Sequence, residues 1–238
     1  MNISKIKVIF FDYYGTLVNI MNPFGTIKEF FKSRLSDLNK TELSDSFFNY
    51  FSKQRAKYQY SKKFYKGYEI LENSYISACN KYCVLPDLSA FEKLLDYLFS
   101  SPEPYDDALY TVEKLRKRYI IGLITNADNC YLYKSLRNNG FKFNFIITSE
   151  DSQVNKPDEA IFRKALEYAG EPPQNILMVG DSLSEDIIPC RNVGINAVLI
   201  DRKSISENQP SQIKENSLND SEIKSLKDLF LFLPYEKL

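Results

Sequence analysis

Five short apolar runs set the rhythm of this chain: Lys7–Phe11, Ile120–Thr125, Phe145–Thr148, Ile176–Gly180 and Ala197–Asp201. They are continuous rather than alternating, the pattern of strands covered on both faces. Helical spacing lies between them. Asp106–Arg118 carries Leu109, Val112 and Leu115, with basic residues at its C-terminal end. Asp158–Ala169 carries Ile161, Phe162, Ala165 and Leu166 and is closed by Gly170 and Pro172. Strand–helix alternation of this kind predicts an α/β core built on a parallel sheet. In such sheets ligands bind beyond the C-terminal ends of the strands.

Residues 20–100 break the rhythm. The segment is rich in aromatics and lysine and offers no clear strand. Phe47, Phe48 and Phe51, then Tyr68, Leu71, Tyr75 and Cys79, recur at helical spacing. The pattern predicts a helical insertion at 20–100, its aromatics mostly core, between the two parts of an α/β core at 1–19 and 101–238. Pro102 and Pro104 mark the return to that core. Ser204–Asp220 is polar and expected as loop, and Glu222–Leu233 as a closing amphipathic helix. Pro189 should kink or delay the helix expected after Asp186.

Composition narrows the chemistry. The 238 residues are 44% hydrophobic, and Lys+Arg and Asp+Glu balance at 31 each. No global field favours nucleic acid or an anionic membrane. No apolar run reaches the roughly 18 residues of a membrane span, and the N-terminus shows no signal-peptide core. Cys79, Cys83, Cys130 and Cys190 lack metal-ligand spacing and are expected as core-type thiols in a cytoplasmic protein. The chain contains no histidine. That removes Ser-His-Asp and Cys-His nucleophilic devices and His-liganded zinc. Chemistry must run on carboxylates, lysine and hydroxyls, with or without a hard metal.

The ends of the apolar runs supply such groups. The first delivers Asp12, followed by Tyr13-Tyr14-Gly15-Thr16, where glycine allows a sharp turn around a ligand. The second ends in Thr125-Asn126. Asn155-Lys156-Pro157-Asp158 precedes a helix, and the fourth run enters Gly180-Asp181-Ser182-Leu183-Ser184-Glu185-Asp186. A parallel sheet would gather all four at one edge. Asp12 is then the candidate nucleophile. Asp181 and Asp186, with Asp12 and the Tyr14 carbonyl, suit an oxygen-only Mg²⁺ site. Thr125 and Asn126 are candidate phosphate contacts. Lys156 would keep Asp12 ionised and offset charge gained in the transition state.

The four segments DYYGTLV at 12–18, ITN at 124–126, KPD at 156–158 and GDSLSED at 180–186 resemble, in order, the motifs of the haloacid dehalogenase superfamily. The resemblance implies an α/β fold with a Rossmann-like parallel-sheet core and an inserted all-helical cap domain of the C1 type, which closes over the site and selects substrate. It also implies hydrolase chemistry through a covalent intermediate on Asp12.

Tyr14 stands where family phosphatases carry a second aspartate that protonates the leaving group and activates water. A phenol, with an ordinary pKa of about 10, is a poor base at neutral pH. Asp-x-Tyr-Gly-Thr is also the pattern of the family's 2-haloacid dehalogenases, which need no metal. Those enzymes typically carry Ser-Ser-Asn-x-x-Asp where this chain has Asp181-Ser182-Leu183-Ser184-Glu185-Asp186, and no arginine follows soon after Leu17. The first and last motifs thus point differently. The clustered carboxylates favour a Mg²⁺-dependent phosphatase acting on a small phosphorylated metabolite, as monomer or homodimer. A metal-independent 2-haloacid dehalogenase and a catalytically impaired Mg²⁺/phosphate-binding protein are the alternatives.

Overall fold

A computed structural model describes residues 5–202 and 222–233 of the chain. They form two compact units: residues 5–19, 103–126, 136–202 and 222–233 in one, residues 20–102 and 127–135 in the other.

The first unit is organised by a six-stranded sheet. Its strands are β1 (Val8–Phe11), β4 (Ile120–Thr125), β5 (Phe145–Thr148), β6 (Ile176–Gly180), β7 (Asn196–Ile200) and β8 (Glu222–Ile223), in the order β5-β4-β1-β6-β7-β8. All pairings in it are parallel. A separate two-stranded ribbon pairs β2 (Val18–Asn19) with β3 (Glu103–Pro104). The five expected strands are present, each within one residue of its expected bounds. Their continuous apolar character follows from burial on both faces: Val8, Ile9, Phe10 and Phe11 are all inaccessible.

Helices α5 (Ala108–Leu115), α6 (Asn129–Asn139), α7 (Ser149–Ser152), α8 (Glu159–Ala169) and α9 (Ile188–Asn192) connect the strands. The expected α8 is capped at both ends by sequence-legible devices. Asp158 accepts from the Ala160 amide at 2.9 Å, and Gly170 takes the left-handed conformation at φ 61°. Pro189 delays its helix. Leu183–Ile187 forms a π-turn, and the α-helix proper starts at Ile188 with Pro189 in its first turn, where no amide hydrogen is required.

Three expectations are corrected. Glu222–Leu233 is not a helix throughout: Glu222–Ile223 extends the sheet, and only Leu226–Leu231 turns, as 3₁₀. Sheet-edge pairing with β7 overrides the helical spacing of that segment. The helical unit also recruits residues 127–135, which follow β4 in sequence. Finally, Cys83 and Cys130 are exposed, whereas Cys79 and Cys190 are buried; Cys83 sits just past a helix end with a positive φ of 52°. The loop expected at Ser204–Asp220 lies outside the described residues. Among those described, no helix is long and apolar enough to cross a membrane.

The second unit contains α1 (Pro23–Asp37), α2 (Ser44–Gln59), α3 (Gly67–Lys81) and α4 (Leu88–Ser100). Asn22 and Asp87 cap α1 and α4 by accepting from the Gly25 and Ala90 amides. Asp128 caps α3, accepting from Gly67 and Tyr68 at 2.7 and 2.6 Å. That contact explains why the segment after β4 joins this unit. The core is aromatic. Phe31 stacks on Tyr75 at 5.2 Å and meets Phe47 and Phe51 edge-on at 5.1 and 5.0 Å. Phe31 is 1% exposed, so Phe31→Ala opens a cavity in this cluster. We expect a loss of about 3–5 kcal/mol, measured as a lowered midpoint in urea unfolding; a loss below ~1 kcal/mol would mean the cluster collapses around the gap.

Candidate active site

The sheet order places β1 between β4 and β6: the chain adds β4 and β5 on one side of β1, then crosses to add β6, β7 and β8 on the other. A crevice forms at such a reversal, beyond the C-terminal strand ends. Asp12 leaves β1 there, its amide still bonded to the Val179 carbonyl at 2.9 Å. Thr125 closes the neighbouring β4, and Gly180 closes β6. Asp12, Lys156 and Asp186 are buried at 6%, 5% and 1% exposure.

Lys156 is the centre of the cluster. Its ammonium donates to Asp12 Oδ1 and Asp186 Oδ1, both at 2.6 Å, and to the Ile124 carbonyl at 3.3 Å. Burial alone would push this amine down. The two carboxylates outweigh that and shift it upward, so it stays charged. Lys156 engages Oδ1 of Asp12 and leaves Oδ2 outside the ion pair.

Asp12 has the opposite balance. Burial is the largest influence and raises it; Lys156 opposes that, while Asp186 and Asp181 add repulsion. The result is a carboxyl pushed up to about 7. Oxygens of Asp12, Asp181 and Asp186 all lie within 4.8 Å of one another. Three carboxylates facing one ammonium leave an excess of negative charge, and their donors are hard oxygens. This set fits a small divalent cation such as Mg²⁺, which relieves the repulsion among the three carboxylates.

Backbone geometry brings Asp181 in. Gly15 has φ 90°, and a β-carbon there would lie 2.5 Å from Asp181 Oδ2. A side chain at residue 15 would therefore be both strained and in collision. Thr16 Oγ1 donates to Asp181 Oδ1 at 3.4 Å. Asp186 Oδ2 accepts from the Ser182 amide at 3.1 Å, and a β-carbon at Gly180 would overlap the Asp186 carboxylate.

The structure thus brings Asp12, Lys156, Asp181 and Asp186 together, with Thr125 at the adjacent strand end. Asn126 has a role the sequence did not suggest. Its carboxamide accepts from the Lys156 amide at 2.8 Å and donates to the Lys156 carbonyl at 3.1 Å, holding the loop that carries the lysine. It also donates to Glu185 at 3.4 Å. Tyr13 and Tyr14 part company. Tyr13 is inaccessible and accepts from Asn139 at 3.4 Å, whereas Tyr14 is half-buried, its ring edge-on to Tyr13 at 5.0 Å. Of the basic residues on and after α2, Lys53, Lys57, Lys62 and Lys63 are solvated; Arg55 instead lies 4.4 Å over the Phe24 ring.

Comparison with known proteins agrees with this architecture. A family model for haloacid dehalogenase-like hydrolases matches residues 6–194. A haloacid dehalogenase-like hydrolase domain-containing protein 3 from Danio rerio is 35% identical over 130 residues, covering 51% of this chain and 53% of the relative. The chain thus aligns with about half the length of that relative. An (S)-2-haloacid dehalogenase from Pseudomonas putida is 25% identical over 84% of this chain and 87% of its own. The crystal structure of a HAD phosphatase from Thermococcus onnurineus superposes with a TM-score of 0.70 at 25% identity, covering 98% of this chain and 100% of that one. The strand-end carboxylates and lysine, the parallel sheet and the extent of the family match lead to one conclusion: the chain belongs to the haloacid dehalogenase-like hydrolases.

Proposed function

We propose that this hydrolase is a Mg²⁺-dependent phosphatase of small phosphorylated metabolites, with residues 20–102 acting as its cap domain. The observation that carries the reading is the Asp12–Asp181–Asp186 cluster, whose oxygens lie within 4.8 Å around a single lysine. Asp12, Asp181, Asp186 and the Tyr14 carbonyl would hold the metal. When bound, Mg²⁺ supplies charge neutralisation at the phosphoryl oxygens.

The chain's own residues account for the rest. Lys156 fixes Asp12 in place by its 2.6 Å bond and offsets charge on the transferring group. An Asp12 oxygen attacks phosphorus; the new O–P bond forms as the ester P–O bond breaks, and the electron pair leaves on the alcohol oxygen, which takes up a proton. Water then cleaves the aspartyl-phosphate, releasing phosphate and restoring the Asp12 carboxylate. Tyr14 can donate a hydrogen bond to the leaving oxygen but is a poor base for that water. Thr125 and backbone amides at the end of β4 are the proposed phosphoryl contacts, with Asn126 holding the Lys156 loop.

Tyr14 and the Pseudomonas putida relative favour a second reading, metal-independent 2-haloacid dehalogenation. One experiment separates the two. The protein is incubated with an activated aryl phosphate, with Mg²⁺ or with a chelator, and separately with 2-chloropropionate. Phosphate release that requires Mg²⁺ and stops with the chelator is expected. Chloride release indifferent to metal would overturn the phosphatase reading. Neither product, with Mg²⁺ binding retained, would mark a non-catalytic binding protein.

A further inference from the structure

Arg202 lies just past β7, outside every motif that marks the site, yet its guanidinium is nearly enclosed. Its side chain is 6% exposed. It donates twice to the Thr16 carbonyl, from Nη2 at 2.7 Å and Nε at 3.2 Å. Nη1 donates to Asp107 Oδ2 at 3.0 Å, and the guanidinium plane lies 4.1 Å over the Tyr105 ring. The Asp107 oxygen is shared: Ser225 Oγ and the Leu226 amide both donate to it at 2.7 Å. Burial pushes the Asp107 carboxyl up, but the Arg202 guanidinium, Ser225 and Leu226 outweigh it and hold the carboxyl below its ordinary value. This is an ionised, multiply bonded buried pair rather than a surface bridge.

The acceptor of the two arginine bonds gives the arrangement its meaning. Thr16 belongs to the turn that follows the nucleophile, and its hydroxyl touches Asp181 Oδ1. The preceding residue, Gly15, leaves room for the same carboxylate, since a β-carbon there would lie 2.5 Å from Asp181 Oδ2. Tyr105, which supplies the ring beneath the guanidinium, donates its amide to the Leu17 carbonyl at 3.0 Å. The turn 15–17 is therefore gripped from one side by Arg202 and Tyr105 and presses on Asp181 with the other. Asp181 is the most exposed member of the carboxylate cluster, whereas Lys156 already fixes the other two.

We propose that Arg202 is a positioning residue for the metal site: by fixing Thr16 it sets the direction of the Asp181 carboxylate, and so the affinity of the cluster for a divalent cation. The proposal rests on the assignment of Asp12, Asp181 and Asp186 as Mg²⁺ ligands. Lysine at 202 keeps the charge, but its single ammonium has no fork to span both Asp107 and the Thr16 carbonyl.

The test is direct Mg²⁺ binding by calorimetry on the full chain, with folding checked by circular dichroism. Arg202→Lys and Thr16→Val are each expected to weaken binding about tenfold, the lower end of what outer partners of metal ligands are worth. Because the arginine acts through the threonine, the double variant should be no weaker than the weaker single one. Thr16→Ser, which keeps the hydroxyl, should restore binding. Should Arg202→Lys not fold, Tyr105→Leu removes only the ring under the guanidinium; it should weaken binding about threefold and show the same lack of additivity with Thr16→Val. Unchanged affinity in a folded Arg202→Lys or Tyr105→Leu variant overturns the proposal, as do losses that multiply in the double variant. A wild-type protein that binds no Mg²⁺ overturns the metal assignment itself, an outcome visible before any variant is made.

Discussion

Asp12→Asn is expected to lose at least about 10⁴-fold in turnover, in the range seen when a covalent nucleophile is removed. The amide is nearly isosteric but a far weaker nucleophile than the carboxylate, and it cannot carry the negative charge that Lys156 is placed to meet at 2.6 Å. The same substitution should remove the cost of burying the charged carboxylate, the main cause that pushes Asp12 up to about 7, together with its repulsion by Asp186 and Asp181. Folding stability should consequently survive the loss of activity. The measurement is single-turnover phosphate release by the Asn variant beside a thermal melt. Residual turnover within tenfold of wild type would show that a group other than Asp12 attacks the substrate. A melt lowered by more than a few degrees would instead show that the ionised carboxylate is a structural partner of Lys156.

Tyr14→Asp should act in the opposite direction. A carboxyl group at residue 14 can protonate the leaving oxygen and then, as the carboxylate this leaves, accept a proton from the attacking water, help that is typically worth about 10²–10⁴ in rate. Tyr14 is half-buried, its ring edge-on to Tyr13, whereas Tyr13 is the inaccessible member of the pair. The exchange therefore removes little core packing. Turnover of an activated aryl phosphate should rise, and the fraction of protein trapped as phospho-Asp12 after rapid acid quench should fall. Unchanged turnover with the trapped fraction unaltered would place the slow step elsewhere. A gain in turnover with a rise in the trapped fraction would mean that the tyrosine limits formation of the intermediate, not its hydrolysis.

Much of the candidate site was legible in order along the chain. Asp12, Thr125, Lys156, Asp181 and Asp186 each follow or flank an apolar run, and a parallel sheet converts that regularity into proximity at one edge. The α8 cap was equally legible, because Asp158 and Gly170 act on backbone groups a few residues away. The residues that hold the site were not. Asn126 grips the backbone of a residue 30 positions on, and Arg202 reaches Thr16 across 186 positions. Neither partnership leaves a periodic trace. The strand at Glu222–Ile223 was missed for a related reason: its pairing partner lies in β7, and two residues are too few for any pattern to register.

The sequence by itself therefore determined the five longer strands of the sheet, the aromatic helical insertion and the carboxylates and lysine at the strand ends. These follow from apolar periodicity and from which side chains can carry charge in a chain without histidine. Only the tertiary structure decided which groups meet. It assigned Lys156 to Asp12 and Asp186 together, gave residues 127–135 to the helical unit through Asp128, buried Tyr13 in preference to Tyr14, and made Arg202 the clamp on Thr16. Periodicity records the face a residue presents to the core. The pairing of charges depends on distances between elements far apart in the chain, which packing alone sets.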